Sequence, residues 1–168
     1  MPLTKIQSLG ITDGTIVNAD INASAAIAGT KLTGAGKVLQ VITATDTTTR
    51  GTTSSSFVTA SNTLSVTITP SSTSNKIFVI CTCGIGMSNA THTGAITIYR
   101  GATDLGSGGA GMAYFKGSDD GMPCSVSVLD SPSTTSSTTY QIYIKNLSGG
   151  TINLNAGKSS ITAFEIAG

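Results

Sequence analysis

The chain has 168 residues, only 10% of them charged and nearly a third Ser or Thr, with no Trp and a formal net charge of +1. That length suits one domain with a sizeable core rather than two. A charge content far below the usual ~25% argues against a solvated, disordered chain. The nine Lys and Arg are spread singly, so neither nucleic acid nor an anionic membrane is an expected partner.

Residues 1–8 contain no continuous apolar segment of the secretory kind, and nowhere is there a run of the ~18 apolar residues that a bilayer span needs. Synthesis in the cytoplasm without signal cleavage is expected. Residues 1–35 set Ile6, Leu9, Ile11, Ile16, Val17, Ile21 and Ile27 among Gly, Asp, Asn and Thr at spacings that satisfy neither the strand nor the helix period. Residues 22–29 have the composition for one or two helical turns, with Asn22 or Ser24 capping and Gly29 stopping. Such a helix is marginal alone. The segment therefore reads as an extended arm whose large apolar side chains, each worth roughly 1.5–3 kcal/mol when buried, anchor on sister subunits or on a larger particle.

Residues 33–36 form a flexible joint, and a domain spanning 36–168 begins with a strand at 37–43. Residues 44–56 read as a polar loop or poorly buried edge, and 57–60 as a short strand. In 64–69 apolar residues fall at every second position with Ser or Thr between, the pattern of a half-buried strand. After the turn chemistry of 69–75, four consecutive apolar residues, Ile77 to Ile80, predict a central strand covered on both faces. Residues 84–87 extend it with a bulge.

Further strands are expected at 94–100, 112–115, 124–129, 139–145, 151–154 and 160–166, separated by Gly-, Ser- and Asp-rich turns. Nine or ten short strands at this spacing predict an all-β chain, a jelly-roll-like β-sandwich. No convincing helix is expected after Gly36.

The run 64–80, Leu-Ser-Val-Thr-Ile-Thr-Pro-Ser-Ser-Thr-Ser-Asn-Lys-Ile-Phe-Val-Ile, preceded by Gly36-Lys37-Val38-Leu39-Gln40-Val41, resembles a domain recurrent at the C-terminal ends of bacteriophage fibre and other virion surface proteins. Residues 96–106, Ile-Thr-Ile-Tyr-Arg-Gly-Ala-Thr-Asp-Leu-Gly, and the closing Ile161-Thr162-Ala163-Phe164-Glu165-Ile166 look like the same family. Residues 11–21 resemble segments of phage fibre shafts, present here once. The resemblance implies a compact β-sandwich, usually trimeric, in a virion, and no particular enzyme.

Candidate chemistry is sparse. His92 is the only histidine, so one chain supplies no imidazole pair, no triad and no multi-histidine metal site. Cys81 and Cys83 share one strand face, and with Cys124 they are odd in number and a poor disulfide framework, so buried free thiols are expected. Asp119-Asp120 lacks the further oxygens of a calcium loop and reads as a turn. No cofactor or metal is expected, and no enzymatic activity.

The loops 44–56, 88–93, 101–111 and 131–138 should gather at the sandwich ends, where binding sites are common. Tyr99, Tyr114 and Tyr143 are candidate platforms for a ligand, or else pack the sheets. These readings converge on a homotrimeric capsid decoration or cement protein, or a head-fibre knob, on the virion surface and anchored to the capsid shell. The alternative is the receptor-binding tip of a tail fibre that recognises a host surface polysaccharide.

Overall fold

The computed structural model describes residues 37–117, 121–154 and 157–168. The chain divides into two units between Gly34 and Ala35, and the described residues all belong to the second. The seven anchoring candidates of the arm and the expected helix at 22–29 lie outside the described residues.

Eleven strands are described: β1 (Val38–Asp46), β2 (Arg50–Thr52), β3 (Ser65–Ile68), β4 (Lys76–Met87), β5 (Thr93–Arg100), β6 (Thr103–Asp104), β7 (Ala113–Lys116), β8 (Met122–Asp130), β9 (Thr138–Asn146), β10 (Ile152–Leu154) and β11 (Ser159–Ile166). They form two antiparallel sheets. The first has the order β1-β11-β4-β10-β2, with β8 also on β4, and the second β3-β9-β5-β6, with β7 also on β5. The fold is an all-β sandwich, as its alternating strands predict. With the short β2, β6 and β10 set aside, the first strand pairs with the last, β1 with β11. The same nesting continues inward through β3 with β9, β4 with β8 and β5 with β7.

Alternation decides which side chains meet between the sheets. From the first sheet come Ile77, Val79, Cys81, Ile85, Ile161 and Ala163, and from the second Val66, Ile68, Ile96, Ile98, Ile142 and Ile144, all at most 3% exposed. β4 is central in its sheet, as expected, but the expectation that both of its faces are covered is corrected here. Ile77 and Val79 are fully buried, but Phe78 and Ile80 face outward and are only half-buried, because no layer covers the outer face of this sheet among the described residues. The expected bulge at 84–87 is also absent, since β4 keeps unbroken register with β8 through Ile85. The irregularity lies in β1 instead, between Val38 and Gln40.

Smaller differences follow from pairing that one strand's pattern cannot express. Residues within the expected polar loop 44–56 continue β1 to Asp46 and supply β2, which pairs with β10. Residues 57–60 contribute only the single bridge of Val58 to Ile144. The one helical element among the described residues is a 3-10 turn, Gly108–Ala110.

Buried carboxylates hold the ends together. Glu165, 1% exposed, accepts hydrogen bonds from Gln40 Nε2 (2.6 Å), the Ser71 amide (2.6 Å), Ser71 Oγ (2.8 Å) and Asn75 Nδ2 (2.6 Å). It thereby pins the β3–β4 loop and β1 to β11. Burial acts to raise its carboxyl, but the hydrogen bonds from Gln40, Asn75 and Ser71 outweigh burial and hold it at about 2. At the other end of β1, Asp46 accepts from the amides of Thr48 (2.8 Å) and Thr63 (3.1 Å). The Thr48 amide bond is the main reason its carboxyl lies well below the usual range.

All three cysteines are buried free thiols. Cys83 and Cys124 are directly opposed in the β4–β8 ladder. The Cys83 hydrogen bond and burial both push the Cys124 thiol far up, so at neutral pH it is a packing group rather than a nucleophile.

Candidate functional site

The three candidate tyrosines all fall on the second sheet, on its outer face rather than between the sheets. Their register explains this. Core-facing Ile96 and Ile98 oppose Ile144 and Ile142, which turns Thr97, Tyr99, Gln141 and Tyr143 outward. Tyr99 and Tyr143 stack with ring centroids 4.0 Å apart and planes at 23°. Phe57 meets Tyr99 edge-on at 6.2 Å, and Lys145 Nζ stands 4.5 Å over the Phe57 ring, a cation–π contact.

Phe57 and Lys145 were missed as members of this cluster. The only signal for Lys145 is its place two residues after Tyr143, on the same strand face. Burial, then the charge of Asp104 and the neighbouring Tyr143, raises the Tyr99 hydroxyl above its ordinary range. Tyr114 stands apart on β7 opposite Ala95, 67% exposed and outside the ring stack.

The 101–112 segment folds over this face. Asp104 Oδ1 accepts from Thr97 Oγ1 at 2.6 Å and from the Gly106 amide at 2.9 Å, which fastens the loop to β5. Gly111 has φ +65°, and a Cβ there would come within 2.6 Å of the Ile96 carbonyl and 2.9 Å of Phe57 Cζ. Both backbone and space therefore require glycine. Gly111→Ala should lower stability by about 1–3 kcal/mol, read as a reduced urea midpoint. An unchanged midpoint would show that the loop does not hold this conformation.

At one end of the sandwich lies an open groove of about 390 Å³, lined by Arg100, Gly101, Pro132, Thr134, Ser137, Thr138 and Thr139. Two of the predicted loops meet here, 101–111 and 131–138. Beneath them, Arg100 NH1 bonds both carboxylate oxygens of Asp130 at 2.8 Å, and Tyr140 Oη donates to Asp130 Oδ2 at 2.6 Å. The trio ties β5 and β9 of one sheet to β8 of the other. Burial, then the contact with Asp130, drives the Tyr140 hydroxyl far up, so it stays protonated and donating. Tyr140→Phe should cost about 1–2 kcal/mol, measured by urea denaturation, and an unaltered midpoint would remove Tyr140 from this tie.

The other loops gather elsewhere. His92 lies in the 88–93 loop at the opposite end, with Nδ1 3.3 Å from Ser88 Oγ and its ring against Gly150. The 52–56 segment reaches the same end through the Asn146 amide, which donates to the Ser54 carbonyl at 2.7 Å. Asp119 and Asp120 lie outside the described residues.

Chemically, the groove offers hydroxyls and one arginine whose charge Asp130 already balances. That arrangement suits weak recognition of a polar surface ligand. The stacked aromatics present mostly to one another, so they fix the loops onto the sheet. No protein-family model matches this chain, and no curated protein matches it.

Proposed function

We propose that this chain is a non-enzymatic structural protein of a bacteriophage virion, a capsid decoration or cement protein or the knob of a short head fibre. In this reading residues 1–35 are an anchoring arm, and residues 36–168 form a jelly-roll sandwich that works as a homotrimer on the virion surface. The nested strand pairing carries the reading. A ribbon whose first strand meets its last, and so on inward, distributed over two sheets, is the topology of a jelly roll, an architecture used by viral capsid domains. The resemblance of residues 64–80 and 161–166 to virion surface domains agrees with it.

The arm supplies the attachment. Three arms on one trimer would engage the shell together, which raises avidity by 10²–10⁴ where geometry allows. Substituting Asp at both Ile16 and Ile21 is expected to abolish binding of the purified protein to bare phage capsids while leaving the sandwich folded. Unchanged attachment would overturn the anchoring role.

The groove over Arg100 favours a second reading, a tail-fibre tip that binds a host surface polysaccharide. It is distinguished by binding to host cells. Cell binding by the wild type that Ser137→Arg abolishes by filling the groove would place function there.

A further inference from the structure

The outer face of the first sheet carries an apolar row that is built by register. Val41 opposes Phe164, Phe164 opposes Phe78, and Phe78 opposes Leu129, so one line crosses β1, β11, β4 and β8. Its two ends, Val41 and Leu129, are each 53% exposed, and at its centre the Phe78 and Phe164 rings lie 6.1 Å apart. Val38, 50% exposed, extends it at the start of β1, and Ile80 begins the next row.

Beyond Ile80 the face continues in hydroxyls, among them Thr43 and Thr162, whose oxygens are 3.0 Å apart. Among the outward positions of these four strands, Lys76 at the margin is the only charged residue. A single row of large apolar side chains on an otherwise uncharged sheet marks an interaction surface rather than scattered exposure.

We propose that this face is where one copy of the chain binds another. Three observations select that occupant. A face almost without charge meets no repulsion from its own copy, and a net charge of +1 on the whole chain adds almost none. Basic side chains, which a nucleic acid or an anionic membrane would require in clusters, stand only singly at its margins, Lys76 at one and Lys158 beside Thr82, Gly84 and Pro123 at the other. Its size suits the centre of an interface. Four strands ~4.8 Å apart and seven paired residues deep give on the order of 450 Å² in projection, and a pleated surface exposes more than its projection. Each partner of a standard interface contributes roughly 800 Å², so this face forms the centre of such a contact, with its edges as the rim. Val41, Phe78, Phe164 and Leu129 then bury together, and the Thr and Ser hydroxyls pair around them.

The inference rests on the self-association in the proposed function, not on its virion context. It is tested by sedimentation equilibrium of the full chain, the double variant Val41→Glu/Leu129→Glu, and the control Tyr114→Glu on the other sheet. The wild type and the control are expected to assemble. The double variant should associate more weakly by on the order of 100-fold or more, because carboxylates would have to be desolvated against apolar rings, while circular dichroism shows its fold intact. A wild type that sediments as a monomer overturns both self-association and this face. A double variant that assembles like the wild type overturns the face alone and leaves self-association standing through another surface.

Discussion

Replacing Glu165 by glutamine is expected to remove much of the acid sensitivity of the sandwich and to lower its stability at neutral pH by up to about 3 kcal/mol. The sign follows from linkage. The carboxyl lies at about 2 in the folded chain against an ordinary 4.5, so the unfolded chain takes up its proton first as pH falls. The contribution is fully present above about pH 4.5 and disappears as pH drops through about 2.

Glutamine keeps the shape of the side chain but loses the charge that draws four donors from Gln40, Ser71 and Asn75. Melting temperatures measured from pH 7 to pH 2 should converge for wild type and E165Q at the acid end. Asp46 is depressed in both proteins, so it cancels in the difference. Parallel curves would mean that Glu165 titrates normally and that the β3–β4 loop is held by something else.

Ile98→Ala is expected to destabilise the protein by about 2–5 kcal/mol, whereas Ile80→Ala should cost less than about 1.5 kcal/mol. The chemistry of the two changes is identical. Ile98 is fully buried between the sheets opposite Ile142, and removing its methyl groups leaves a cavity that the surrounding strands close only in part. Ile80 sits on the outer face of β4 between Thr162 and Ser127, where in a dissociated chain water fills the space. Urea denaturation of both variants at a concentration low enough to keep the chain dissociated separates them, because self-association through this face would otherwise bury Ile80 and shift apparent stability. Equal losses would mean that the outer face of the first sheet is as enclosed as the core.

The contrast between these two isoleucines also shows how far the sequence reaches. Strict alternation in residues 64–69 and 139–145 made β3 and β9 legible, because a half-buried strand writes its two environments into consecutive residues. The run Ile77 to Ile80 announced a central strand but not that one of its faces is left open, for the complementary reason. An apolar residue kept for an exposed sheet face has the same letter as one kept for a core. Nor could the polar character of residues 50–52 announce β2, whose strand exists through its pairing with β10.

The candidate site was legible only in part. Tyr99 and Tyr143 come together as the shared parity of β5 and β9 requires, and Tyr114 does not join them. Phe57 enters the cluster from a segment expected as a short strand that makes only the single bridge of Val58 to Ile144, and Arg100, Asp130 and Tyr140 converge from three strands. No local spacing links them, because the contacts depend on which strands the chain brings side by side.

Composition and periodicity by themselves thus determined an all-β chain, the positions of most strands, and a surface dominated by hydroxyls rather than charge. These are properties of single residues and their immediate neighbours, governed by burial and a period of two. Tertiary structure alone decided the nested strand pairing, the clamp on Glu165, the Arg100–Asp130–Tyr140 tie and the apolar row from Val41 to Leu129. Each of these joins residues from separate strands, and their meeting is set by sheet register and sheet-on-sheet packing, which no local pattern encodes.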